Sequence, residues 1–305
     1  MRLVTYESEG RWHSGVAIGD RVVNTATAAE AAQLSIDSTI DWTSNRSIIQ
    51  ITSAETAKLE SAARQLAESE SSAHTIATVH LGPPIPNPDK IICLGLNYRS
   101  HAEEAGFKVP TVPILFAKFR NALTGPHDPI VLPSVSDEID YEGELAVVIG
   151  KPCKDVPVDD ALTMVAGYMA FNDVSARDVQ MRTSQWLSGK TLNTFAPCGP
   201  ALVVNEIGDP QALNLSTRVN GQTLQQSNTR MMIFSVAESI AYISRLMTLQ
   251  PGDIIATGTP EGVGFKRTPA IFLKPGDVVE VEIDDIGCLR NPVLKAGGKE
   301  GKAII

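Results

Sequence analysis

The chain has 305 residues, 43% hydrophobic and 20% charged, which supplies a large core and excludes wholesale disorder. Lysines and arginines number 26 against 35 aspartates and glutamates, a formal net charge of −9 that lacks the basic footprint of a nucleic-acid binder. An acidic protein must capture any anionic substrate with local positive charge. None of the four cysteines sits in a Cys-x-x-Cys pair, and no apolar run approaches the ~20 residues of a membrane span. The expectation is a cytoplasmic protein with reduced thiols, no nucleic-acid partner and no membrane partner.

Near the start, residues 16–18 and 22–23 flank Gly19-Asp20 and predict two short strands around a tight turn. Residues 52–71 contain no glycine or proline, and Leu59, Ala62, Ala63 and Leu66 recur at helical spacing behind a capping Ser53. Four prolines then fall within residues 81–88, a run that can continue neither a helix nor a central strand. It marks the boundary between a small N-terminal α/β domain, 1–82, and a larger domain, 83–305. Beyond it, residues 91–95, 114–116, 144–149 and 201–204 read as strands, and 159–166 and 235–246 as helices. Pro-Gly-Asp occurs twice, at 251–253 and 275–277, each time as a turn feeding a β-branched strand. Many strands and few helices, without regular alternation, predict an α+β, β-rich fold and exclude a doubly wound sheet.

Chemistry concentrates in five places. In a strand, positions i and i+2 share a face, so Glu142 and Glu144 present adjacent carboxylates that repel unless a cation lies between them. Hard oxygen donors suit Mg²⁺, Mn²⁺ or Ca²⁺, while a solvated strand edge is the alternative. Asp173, at the end of an apolar segment, offers a third oxygen; Arg177 nearby can form an ordinary salt bridge with Asp173 or Asp178. His101 and Glu104 are three apart, on one face of a helical turn, where a carboxylate can orient an imidazole base. Lys190 contributes a cation after Gly189, and residues 256–264 form a Gly/Thr loop whose amides and hydroxyls can hold an anion.

Taken in order, the segments NYRSHAEE, DYEGELAVVIGK, NDVSARDVQMR, QWLSGKTLNTFAPCGP and LQPGDIIATGTPEGVG resemble the fumarylacetoacetate hydrolase family, nearest its domain-containing protein 2 branch and related bacterial members. The resemblance implies a mixed β-roll catalytic domain behind a smaller N-terminal domain, in a homodimer. It implies that Glu142, Glu144 and Asp173 bind a divalent metal, Mg²⁺ or Mn²⁺, with Ca²⁺ an occupant in crystals. His101, Glu104 and Lys190 match catalytic positions, the first two on a segment, 97–109, that closes over the site. Gln180, Thr259 and Tyr98 match substrate-binding positions. Leu96 stands where several members carry Arg or Lys, which weakens anion capture there.

The implied substrate is a small 2-oxo or β-diketo acid. Hydrolytic cleavage of a C–C bond in an acylpyruvate is the first expectation; oxaloacetate decarboxylation or keto–enol tautomerisation at the same metal site is the second. A non-catalytic β-roll holding structural Ca²⁺ is a third, and it leaves the His101–Glu104 pair and Lys190 without a purpose.

Overall fold

The computed structural model describes residues 1–34 and 39–297, so residues 35–38 and 298–305 of the two expected domains lie outside it. Among the described residues the main sheet has twelve strands. Its centre is the Gly143–Ile149 strand, paired antiparallel with Val165–Asn172 on one side and with Ile254–Ala256 on the other. The ladder continues through Ala196–Val204 to Arg2–Ser8, where Leu3 faces Leu202, so strands from both sides of the proline run share one sheet.

Every residue of Gly143–Ile149 is buried, because both faces are covered. Leu145, Val147 and Ile149 pack into one core with Ile240 and Ile243 and with Leu215, Val281 and Ile283 of a second, five-stranded sheet. Ala146 and Val148 point the other way, into a core shared with Phe171 and Phe195. The pleat thus assigns Glu142 and Glu144 to the face of Ala146 and Val148.

Several expectations shift in detail. Thr52, not Ser53, caps the Ser53–Ala67 helix, through a reciprocal capping box with Glu55. Residues 159–166 yield only a Val158–Ala161 helical turn and a 3₁₀ turn, Leu162–Met164. Val165 is claimed instead by a strand that hydrogen-bonds to neighbours on both sides, and that pairing overrides local helix preference. The second expected helix forms as Val236–Leu246, capped by Ser235 and Glu238. Both Pro-Gly-Asp turns are alike: Asp253 Oδ2 accepts from Gln250 N–H and Asp277 Oδ2 from Lys274 N–H, each at 2.7 Å. Each has its glycine at positive φ, +88° and +94°. All four cysteines are free. No helix among the described residues is long and apolar enough to cross a membrane.

One polar clasp ties the first strands to the larger part of the sheet. His80, on the strand that pairs with Thr5–Glu7, places Nε2 2.5 Å from Asp128 and Nδ1 3.3 Å from Glu7, beside the Trp12 ring. Burial pulls the imidazole pKa down, but the two carboxylates outweigh it and leave it raised above 6.5. A raised histidine pKa stabilises the fold fully below its ordinary value, and the contribution fades as pH rises through the folded value. His80→Gln is therefore predicted to lower Tm at about pH 5.5 and to differ little from the parent by about pH 9. Melting curves across that range check it; a gap that widens with pH contradicts the clasp.

Candidate metal centre

Three segments converge beside the central strand. Glu142 and Glu144 flank Gly143; Asp173 follows the Val165–Asn172 strand, its N–H donating to Glu142 O at 2.8 Å. Oxygens of the three side chains lie within 4.8 Å of one another, and all three residues are buried. Lys190, closing the short Leu187–Lys190 helix, donates to Glu142 and Asp173 at 2.7 Å each. That helix packs closely because residue 189 is glycine: a Cβ there would meet Gln180 N at 2.5 Å.

Two further cations complete the cluster. Arg177 pairs with Asp140 at 2.8 Å and Glu142 at 2.7 Å under the Phe265 ring, rather than with Asp173 or Asp178. Asp178 instead meets Ser136 and Arg182. Lys118 lies 2.6 Å from Asp173 Oδ1, yet its ammonium protons are directed to the carbonyls of Val174, Lys190 and Phe195. Sequence reading missed Lys118. Its local sequence carries no usable signal: Lys118 shares a strand face with Phe116, and only the folded chain shows that Phe116 lines the site cavity.

The charge balance is uneven. Burial raises the Glu142 pKa, but Lys190, Arg177 and His101 overcome it and hold the carboxyl well below the usual range. Glu144 has no ion-pair partner among the described residues; Gly258 N–H donates to it at 2.8 Å. Burial first, then Asp173 and Glu142, push its pKa well up. Asp173 Oδ1 has no hydrogen-bond donor, because Lys118 spends its three protons elsewhere. One buried carboxylate, Glu144, without an ion pair in an oxygen-only donor set fits a hard divalent cation.

The cavity against Glu142 and Glu144 is about 30 Å³, and His101, Gln180, Lys190 and Thr259 line it with Leu96, Phe107, Phe116 and Trp186. A larger cavity, about 490 Å³, shares no lining residue with it. His101 and Glu104 lie on the Arg99–Ala105 helix with Nδ1 3.6 Å from Glu104 Oε2, an ion-pair separation longer than a hydrogen bond. This helix is docked: Gly262 N–H donates to both Glu104 oxygens at 3.1 Å, and Ser100 donates to Glu261. Tyr98, which immediately precedes this helix, is fully buried without a hydroxyl partner and is not part of the cavity lining. Gln180 accepts from Arg177 at 3.1 Å.

Comparison with known proteins places this arrangement. The family model described as fumarylacetoacetate (FAA) hydrolase C-terminal matches residues 90–294. The mitochondrial oxaloacetate tautomerase Fahd2a of Rattus norvegicus is 51% identical over 213 residues, 69% of this chain and 68% of the relative. Maleylpyruvate hydrolase from Sphingobium sp. SYK-6, solved with manganese(II) and pyruvate, superposes with TM-score 0.77 at 32% identity, covering 97% of this chain and 99% of that one. The 5-carboxymethyl-2-hydroxymuconate delta-isomerase from Mycobacterium smegmatis gives TM-score 0.74 at 35% identity, over 98% of this chain and 100% of its own.

Because burial and the neighbouring carboxylates push the Glu144 pKa up, a cation entering here competes with a proton for that carboxylate, since metal ligands bind deprotonated. Mn²⁺ affinity is therefore predicted to rise with pH and binding to release a proton, and Glu144→Gln to lose about tenfold or more in affinity together with that release. Calorimetry in two buffers of different ionisation enthalpy counts the protons. Equal heats in both buffers contradict a protonated Glu144.

Proposed function

This chain belongs to the fumarylacetoacetate hydrolase family, and on that premise we propose that it interconverts the keto and enol forms of oxaloacetate in a divalent-metal-dependent reaction. The observation that carries the reading is the buried Glu142–Glu144–Asp173 triad, with Glu144 uncompensated and both glutamates lining one small cavity that His101 also lines. Relatives named oxaloacetate tautomerases support taking this ahead of acylpyruvate hydrolysis. The catalytic unit is residues 83–305, with 1–82 a smaller attached domain, and the working form is a homodimer using Mg²⁺ or Mn²⁺.

Glu142, Glu144 and Asp173 are the residues that would hold the ion, which when bound supplies Lewis-acid stabilisation of charge developing on a 2-oxo oxygen. Lys190 pairs with Glu142 and Asp173 and adds positive charge where an acidic protein otherwise repels an acid substrate. With Nδ1 facing Glu104, His101 has Nε2 free to take a proton from C3 and return it to the 2-oxo oxygen, so no water is consumed. Burial raises the Glu104 pKa, but His101 and the Gly262 N–H outweigh it, so the carboxylate stays ionised and able to hold an imidazolium. Gln180 and Thr259, both in the cavity lining, are proposed to orient the acid, Thr259 by turning its hydroxyl proton from Gly143 O to the carboxylate, and Tyr98 to support the helix at its start.

Acylpyruvate hydrolysis is the second reading, favoured by the likeness to maleylpyruvate hydrolase. There the same His101 would deprotonate a water. General-base catalysis is worth about 10² to 10⁴-fold, so His101→Ala is predicted to slow enol-oxaloacetate decay by that order in kcat with Mn²⁺ affinity retained. Loss of the enol ultraviolet band, with Mg²⁺ added, measures it. Parent protein that leaves that decay unchanged while cleaving acetylpyruvate overturns the tautomerase reading and promotes the hydrolase.

A further inference from the structure

The peptide between the two paired glutamates is held in an unusual way. Gly143 faces Asn172 as a non-hydrogen-bonded pair, since the flanking bond runs from Asp173 N–H to Glu142 O. Its own N–H and C=O therefore point to the other side of the strand. There the Ile254–Ala256 strand pairs only with Ala146–Val148 and stops short of it. Buried backbone groups left unpaired are costly, and two side chains meet these. Gln225 Oε1 accepts from Gly143 N–H at 3.0 Å, and the Thr259 hydroxyl donates to Gly143 O at 2.9 Å.

Gln225 also joins these partners to each other. Its Nε2 donates to Thr259 Oγ1 at 2.8 Å and to Pro260 O at 3.0 Å. Its orientation follows from chemistry: the Gly143 N–H can only donate and the Pro260 carbonyl can only accept, so the amide is not free to flip. The side chain is 1% exposed and comes from the Gln222–Asn228 strand of the second sheet. Close approach of that sheet requires two glycines. A Cβ on Gly143 would meet Thr217 Oγ1 at 2.2 Å, and one on Gly262 would meet Leu224 O at 2.1 Å.

We propose that Gln225 is a positioning residue: its carboxamide fixes the Glu142–Gly143–Glu144 peptide and the Thr259 hydroxyl in one register, although it does not line the cavity. The proposal rests on the reading that the two glutamates hold a divalent ion and that Thr259 orients substrate. Gln225 then acts on metal affinity through Gly143 and on substrate binding through Thr259, and not on the proton transfer itself.

The test compares the parent with Gln225→Met, Thr259→Val and the double variant, by Mn²⁺ titration, melting, and kcat and KM for enol oxaloacetate. Losing hydrogen bonds of ordinary net strength predicts that Gln225→Met raises the Mn²⁺ Kd and the KM each about tenfold, with kcat at saturation within about threefold. In the Thr259→Val background the same change should raise KM less than about twofold, because the target hydroxyl is gone. If Gln225→Met does not fold, Gln225→Glu serves: it keeps an acceptor for Gly143 and gives up at least one donor, so KM rises about threefold or more. Folded variants with a lowered Tm but unchanged Kd and KM, or KM effects that multiply in the double variant, overturn the proposal. A parent that binds no Mn²⁺ overturns the functional reading and this inference with it; a parent that binds and turns over while Gln225→Met matches it overturns this inference alone.

Discussion

Everything about the site depends on burying four carboxylates, Asp140, Glu142, Glu144 and Asp173, beside three buried cations, Lys118, Arg177 and Lys190. Removing charges from water is expensive, and pairing returns the cost only when geometry is good and remaining donors are satisfied. Three of the carboxylates meet that condition through ion pairs. Glu144 does not, so its burial favours the neutral acid until something positive arrives. Site and fold are thus one electrostatic problem with a single unfilled term, and a divalent cation is the chemical species that fills it.

The scaffold solves the positioning side of that problem with backbone. A strand buried on both faces sends alternate residues into two different cores, which locks its pleat and so locks both glutamates on one face. Where the ladder on one edge stops, side chains from the second sheet and the Gly/Thr loop take over the pairing. The same loop anchors the His101–Glu104 helix through Gly262. Pinning the loop therefore governs the carboxylate pair, the threonine hydroxyl and the base together, which is how the fold prepares several reacting groups without placing them on one element.

Much of this was legible in the sequence, for reasons that differ by residue. Glu142 and Glu144 announce themselves because period-two spacing ahead of an apolar strand leaves their common face in no doubt. His101 and Glu104 follow from helical spacing. Helix 235–246 was readable because its capping signals and apolar stripe agree. Residues 159–166 misled because a strand's partners, 143–149 and 196–204, lie outside any local window. Lys118, Gln225 and the true partners of Arg177 were invisible for the same reason: each acts on groups contributed by distant segments, and no local pattern encodes which backbone carbonyl or carboxylate will be waiting. Local spacing reveals a ligand pair; it does not reveal what neutralises it.

Where a divalent cation binds decides between this site and any other. A crystal structure grown with Mn²⁺, with data collected to show its anomalous signal, tests this most directly. The expected result is one strong peak bonded to oxygens of Glu142, Glu144 and Asp173 at about 2.0–2.6 Å. A peak away from these residues, or no peak at saturating Mn²⁺ with the triad ordered, would contradict it.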